Sequence, residues 1–231
     1  MNWNALPGIA CIISFFFPVG VIIYNRFYTQ RSLAALLIYY VMATLNNLLS
    51  LGLIPVSENF NNLFGILTHY LEIPLLLTAL LFFCPNKQKK QIIRALTLSF
   101  IAYEFAVTFI HGFTHEAIVY IIGPGLCLIL VYTFFLFVWQ VKFSIMHGKN
   151  QGRTFMLASI LFAYACYALI YYFNYIQKTP YKEDTRLLYF ISFFIASNLM
   201  GIGLYLMRKR IKELQSLKVT RKELALFFGH A

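Results

Sequence analysis

The chain has 231 residues, 60% of them hydrophobic and only 12% charged, with a mean hydropathy of +0.70 and a formal net charge of +11. A soluble domain carries about 25% charged residues, and one water-solvated core cannot hide this much apolar surface, so lipid must solvate much of it. The positive charge does not mark a nucleic-acid binder, because the basic residues fall in the loops and the C-terminal stretch, where membrane topology accounts for them.

Residues 1–6 contain no Lys or Arg, and the first basic residue is Arg26. A secretory leader needs a positive n-region ahead of its apolar segment. The first apolar run, about 7–24 with Pro18 inside it, is therefore expected to stay as a membrane helix. Further runs lie at about 32–54, 63–84, 92–111, 117–141, 154–176 and 187–207. Each is close to the ~20 apolar residues, range ~17–25, that a spanning helix needs. The sequence thus predicts an all-α fold: a polytopic integral membrane protein whose residues 1–207 form a seven-transmembrane helix bundle. The intervening loops are short, so consecutive helices are expected to pack as antiparallel neighbours.

Loop charges predict the orientation. All but three of the 19 Lys and Arg fall in the first, third and fifth loops or beyond residue 207. The exceptions, Lys178, Lys182 and Arg186, share the sixth loop with Glu183 and Asp184. The positive-inside rule then predicts an N-out/C-in protein of a bacterial-style inner (cell) membrane. Residues 208–231 read as a basic amphipathic cytoplasmic tail, with Ile211, Leu214, Leu217, Leu224, Phe227 and Phe228 at roughly helical spacing. Such a tail either lies on the anionic inner leaflet or hands a signal to a cytoplasmic partner. With so little chain beyond it, no output domain is expected. Cys11, Cys84, Cys127 and Cys166 sit in separate apolar runs without CxxC or CxxH spacing, so they read as small core residues.

The informative polar residues are Glu72 and Glu104, because an ionisable group inside a spanning helix is costly and marks a functional-site hypothesis. At ~1.5 Å per residue, Glu72 lies on the order of 13 Å and Glu104 on the order of 10–12 Å from the outer ends of their helices. His69 and Glu72 are i, i+3, while Glu104, Thr108 and His111 are i, i+4 and i+7, so each helix carries an acid and a histidine on one face. Asn46, Asn47 and Ser50, Tyr70, Tyr167, Tyr171 and Asn174, and Ser197 and Asn198 fall at similar depth. The inner halves are poorer in polar groups, which predicts a cavity opening outward. The plainer reading is also open: the Asn and Ser residues as helix–helix glue, and the two acids as protonated groups bonded to Tyr or Asn that lock the fold. Pro74, one turn beyond Tyr70, frees a backbone carbonyl there.

No HExxH, paired ExxH, phosphate-binding glycine loop or nucleophile elbow appears, so no metal and no catalytic residue is expected. His69, Glu72, Glu104 and His111 would be the candidate ligands if a zinc or iron site existed. His115, His147 and His230 read as loop or tail residues.

Tyr70-Leu-Glu72, followed by Pro74-Leu-Leu-Leu, together with seven helices, resembles the microbial rhodopsins, whose third helix carries Arg-Tyr-x-Asp and then Thr-Thr-Pro-Leu-Leu-Leu. The resemblance implies an acidic counter-ion or proton-acceptor role for Glu72. The spacing is two residues shorter here, His69 stands in place of the arginine, and the seventh helix has no lysine, so no covalent retinal is expected.

The expected function is that of a receptor or sensor-type membrane protein. It would bind a small or lipidic ligand, or a proton, in an outward-facing pocket around Glu72 and Glu104, with His69, His111, Asn46, Asn47, Tyr70 and Asn198 contributing. The alternatives are a proton-coupled small-solute transporter or channel, and an intramembrane lipid-modifying enzyme, metal-dependent or not.

Overall fold

The computed structural model describes residues 5–148, 150–177 and 182–228, and is 90% helix with no strand among them. The helices are α1 (Ala5–Tyr24), α2 (Arg31–Ser50), α3 (Glu58–Leu80), α4 (Lys87–His111), α5 (His115–His147), α6 (Gln151–Tyr171) and α7 (Lys182–Phe228). Among the described residues, seven helices are long and apolar enough to cross a membrane. The bundle end where α1 begins is called upper below, and the end where α1 finishes is called lower.

Helix ends follow local chemistry more closely than the apolar runs do. α3 starts at Glu58, ahead of its apolar run, because the Ser57 hydroxyl accepts the Phe60 N–H at 3.4 Å. Thr114 caps α5 in the same way through the Ala117 N–H. α4 and α5 end on Gly112 and Gly148, whose φ angles of 71° and 59° favour glycine. α2 stops at Ser50, before the expected 54, and α5 continues to His147, beyond the expected 141. α7 does not break at 207: the basic stretch from Arg208 to Phe228 continues the seventh helix. No Gly or Pro interrupts residues 204–228, so the sequence has no local reason to stop there. His230 lies outside the described residues.

Consecutive helices are neighbours throughout, and α7 packs on both α1 and α6 to close the bundle. α3 also packs directly on α5, which leaves α4 outside, against α3 and α5. α4 accordingly buries 22% of its apolar span, against 39–50% for the other six. The core between the helices is apolar, with Leu33 and Leu36 of α2, Leu76 and Leu77 of α3, Met156 and Leu157 of α6 and Leu204 of α7 all buried. Polar cross-links are few and close: the Ser14 and Ser197 hydroxyls join α1 to α7 at 2.5 Å, and Ser159 donates to the Ala196 carbonyl at 2.6 Å. Such contacts suit an apolar bundle, where unpaired hydroxyls have nothing else to bond.

At the lower end α6 and α7 approach backbone to backbone through Gly152 and Gly203. A Cβ on Gly203 would lie 2.7 Å from the Gly152 oxygen, and one on Gly152 would lie 2.7 Å from the Met207 nitrogen. Gly152→Ala and Gly203→Ala are each expected to lower stability by about 1–3 kcal/mol, the usual cost of overpacking. Gly20→Ala, where a Cβ meets nothing within 4 Å, is expected to be neutral or slightly stabilising. Thermal unfolding of the three purified variants in detergent checks the contrast.

Candidate functional site

Helical spacing brings Glu72 and His69 to the same side of α3, with His69 Nδ1 3.4 Å from Glu72 Oε2. Glu72 is 9% exposed. Its other oxygen accepts a short hydrogen bond from the Tyr164 hydroxyl of α6. The Tyr164 and Tyr39 hydroxyls lie 3.3 Å apart, which extends the chain to α2. Tyr167, one turn above Tyr164, places its hydroxyl 3.5 Å from His69 Nδ1. One carboxyl thus ties α3 to α6 directly and to α2 through a tyrosine pair. With Glu72 ionised, Tyr164 gives its single proton to the carboxylate and its oxygen is left to accept from Tyr39. With Glu72 protonated, the carboxyl can donate to Tyr164, which then donates to Tyr39. The direction of the chain follows the charge of the acid.

Above this unit opens a cavity of about 580 Å³, within the range of small-molecule sites. Asn46, Asn47 and Ser50 of α2, Asn61 and His69 of α3, Tyr167 and Asn174 of the α6 arm, and Thr185, Arg186 and Tyr189 of α7 line it. Asn47 Nδ2 donates to the Ala43 carbonyl at 2.8 Å and lies 3.3 Å from the Tyr189 hydroxyl, so it is held before any ligand arrives. Arg186 donates to the Ser50 carbonyl at 3.3 Å and packs 5.5 Å over the Phe190 ring. Asn174 accepts from Thr185 at 3.1 Å. The α6 arm is wound as a π turn over Tyr172–Ile176, and such turns frequently accompany functional sites. The wider turn swings Asn174 and Tyr175 to the cavity wall.

The second acid stands elsewhere. Tyr70 and Glu72 are two residues apart and so point to opposite sides of α3. Tyr70 accepts a hydrogen bond from Thr108 of α4 at 2.9 Å, on the face that carries Glu104. Glu104 therefore lies in the α3–α4–α5 seam, behind α3 as seen from Glu72, and is 6% exposed with Oε1 unpartnered among the described residues. The outward cavity expected around Glu72 and Glu104 is lined by neither of them. Matched depth left the direction of each side chain around its helix open, and the peripheral position of α4 decides it.

The remaining candidates divide in the same way. Asn46, Asn47 and His69 line the upper cavity. His111 stacks on Tyr120 of α5 with ring centroids 4.6 Å apart, and Asn198 donates back to the Phe194 carbonyl of its own helix at 2.8 Å. Glu72 itself, Tyr70, Glu104, His111 and Asn198 do not line the cavity, and Glu72 reaches it only through His69. No three His, Cys, Asp or Glu gather as a metal-ligand set among the described residues, so His69, Glu72, Glu104 and His111 do not converge. Tyr39 and Tyr164 were missed by the sequence reading, as were Asn61, Thr185 and Arg186. Tyr164 had a signal, being three residues before Tyr167 on the same face of α6. Asn61 and Arg186 read as loop residues because the apolar runs start after them.

Comparisons with protein-family models, characterised proteins and solved structures find no match for this chain. The likeness to the microbial rhodopsins rests on the α3 motif and the number of helices.

Cysteine placed at Asn46 or Asn61, in a background lacking the four native cysteines, is expected to react readily with a water-soluble maleimide. Cysteine at Glu104 or Asn198 is expected to stay near background. Labelling followed by intact-mass measurement reads the difference, and equal labelling at Asn46 and Glu104 would contradict the placement.

Proposed function

We propose that this chain is a receptor or sensor-type membrane protein that binds a small ligand in the upper cavity. The observation that carries the reading is the cavity itself: amide, hydroxyl, imidazole and guanidinium groups converge above a buried carboxyl that is already wired to two other helices. The ligand class this supports is a compact molecule with several hydrogen-bonding groups. An anionic group would face Arg186, and a planar or apolar body would lie against Tyr167, Tyr189 and Phe190. By the loop charges the upper end faces outside and the N-terminus with it, in a cell membrane, while α7 leaves the bilayer on the cytoplasmic side.

The same geometry supplies a signal. A ligand that bonds His69 competes with Glu72 for Nδ1, and a change in the charge of Glu72 reverses the Glu72–Tyr164–Tyr39 chain. That reversal acts on α2, α3 and α6 together. The continuous α7, which contributes Thr185, Arg186 and Tyr189 to the cavity and extends through the basic stretch, is the element suited to carry occupancy to a cytoplasmic partner.

Proton-coupled transport is the second reading, favoured by the acid–imidazole pair and by a second cavity at the lower end. The apolar layer formed by Leu36, Leu76, Leu77, Met156 and Leu157 lies between the two and would have to open. Its closure supports a receptor over a conduit.

A thermal-shift screen of small polar metabolites against the purified protein tests binding. A stabilising compound is expected to lose about tenfold in affinity, the worth of a charge-assisted hydrogen bond, in His69→Ala and Asn47→Leu. Glu104→Gln is expected to respond as wild type does. Loss of response in Glu104→Gln with full response in His69→Ala would overturn the site, and solute flux in proteoliposomes that follows a proton gradient would decide for transport.

A further inference from the structure

The lower end holds a second cavity, of about 490 Å³, that the ligand site above does not use. Gln30 after α1, Phe82 after α3, Gln151 and Arg153 at the start of α6, and Met207 and Lys209 of α7 form its walls. Four separate parts of the chain therefore meet around it.

Arg153 is the informative residue. It is half-buried, and its guanidinium lies 4.7 Å over the Phe82 ring, with no hydrogen bond or carboxylate partner among the described residues. Stacking on an aromatic face occupies the flat side of a guanidinium and leaves its N–H edge free to bond in plane. Lys209 brings a second positive charge from another helix, and Gln30 and Gln151 bring neutral amide donors. Among the residues whose side chains are described, no acid lies at this end: Glu58, Glu104, Glu116 and Asp184 lie toward the upper end, and Glu72 lies at mid-bundle above the apolar layer.

A cavity with two cations from different helices, met by no acid among the described side chains and ringed by neutral donors, calls for a compact anion with several acceptor oxygens. One arginine fork satisfies a carboxylate. A phosphate monoester offers three free oxygens and up to two charges, and a phosphodiester two free oxygens and two bridging ones with one charge, so either can meet the arginine fork and still reach a second cation or an amide.

We propose that this lower cavity binds a phosphate group, carried either by a phospholipid headgroup or by a free phosphate ester. Arg153 grips it bidentately from its seat on Phe82, and Lys209 balances the remaining charge. The group holds the start of α6 to α7 where Gly152 and Gly203 already bring the two backbones together.

The test uses the full-length protein in a phosphate-free detergent, dodecyl maltoside. Two probes are added separately, phosphatidylglycerol mixed into the micelles and soluble glycerol phosphate, with thermal stabilisation and bound mass as readouts. Wild type is expected to bind one of the two, and which one decides between lipid and free ester. Arg153→Gln and Lys209→Gln are each expected to weaken that binding about tenfold. Lys89→Gln, at the same end but over Trp139 and outside the cavity, is expected to leave it unchanged. Lys209→Gln keeps the Arg153–Phe82 contact, so the outcome stands even if Arg153→Gln fails to fold. Binding of neither probe to wild type, wild-type binding in Lys209→Gln, or an equal loss in Lys89→Gln would overturn the site.

Discussion

A carboxyl placed in the middle of an apolar helix bundle must find donors, and the way Glu72 finds them organises the upper half of this molecule. Removing an ionised carboxylate from water costs far more than one hydrogen bond returns. Glu72 is therefore met on one oxygen by Tyr164 and on the other by His69, with Tyr39 and Tyr167 completing the circle. The groups that answer it come from α2 and α6, and they set the floor on which the cavity stands. Below that floor the packing is mostly apolar, with Thr133 and Gln140 of α5 buried in it, and α6 and α7 are held by the close approach of Gly152 and Gly203.

The separation of the two acids follows from α3 being a helix with different neighbours on its two sides. Residues two apart on a helix look in opposite directions, so Tyr70 and Glu72 serve different interfaces. Tyr70 belongs to α4 through Thr108, and Glu72 belongs to α6 through Tyr164. Because α3 reaches α5 directly, α4 is displaced to the outside and takes Glu104 with it. The chain thus has one acid buried beneath a cavity that its partner His69 lines, and another in a peripheral seam. In the receptor reading proposed above, only the first is placed to respond to a ligand.

Much of the architecture was legible in the sequence. Seven apolar runs separated by charged loops leave little freedom in the number of helices, and the i, i+3 spacing of His69 and Glu72 foretold their contact. What the pattern left open was anything that depends on azimuth or on winding. Depth along a helix is counted in residues, but which neighbour a side chain meets depends on the order of helices around the bundle. Glu104, His111 and Asn198 were misplaced for that reason. The π turn over Tyr172–Ile176 has no hydrophobic signature, so the approach of Tyr175 to the cavity was not readable, whereas Asn174 was placed at that depth. Arg186 and Asn61 were lost at helix starts, because α3 and α7 both begin ahead of their apolar runs.

The partition of the two acids is the central claim, and a double-mutant cycle on stability tests it most directly. Glu72→Gln combined with Tyr164→Phe is expected to show a coupling energy of about 1–3 kcal/mol, as for residues that share a hydrogen bond. Glu72→Gln combined with Glu104→Gln is expected to be additive within about 0.5 kcal/mol. Coupling between the two glutamates as large as that between Glu72 and Tyr164 would contradict it, and would return both acids to one site.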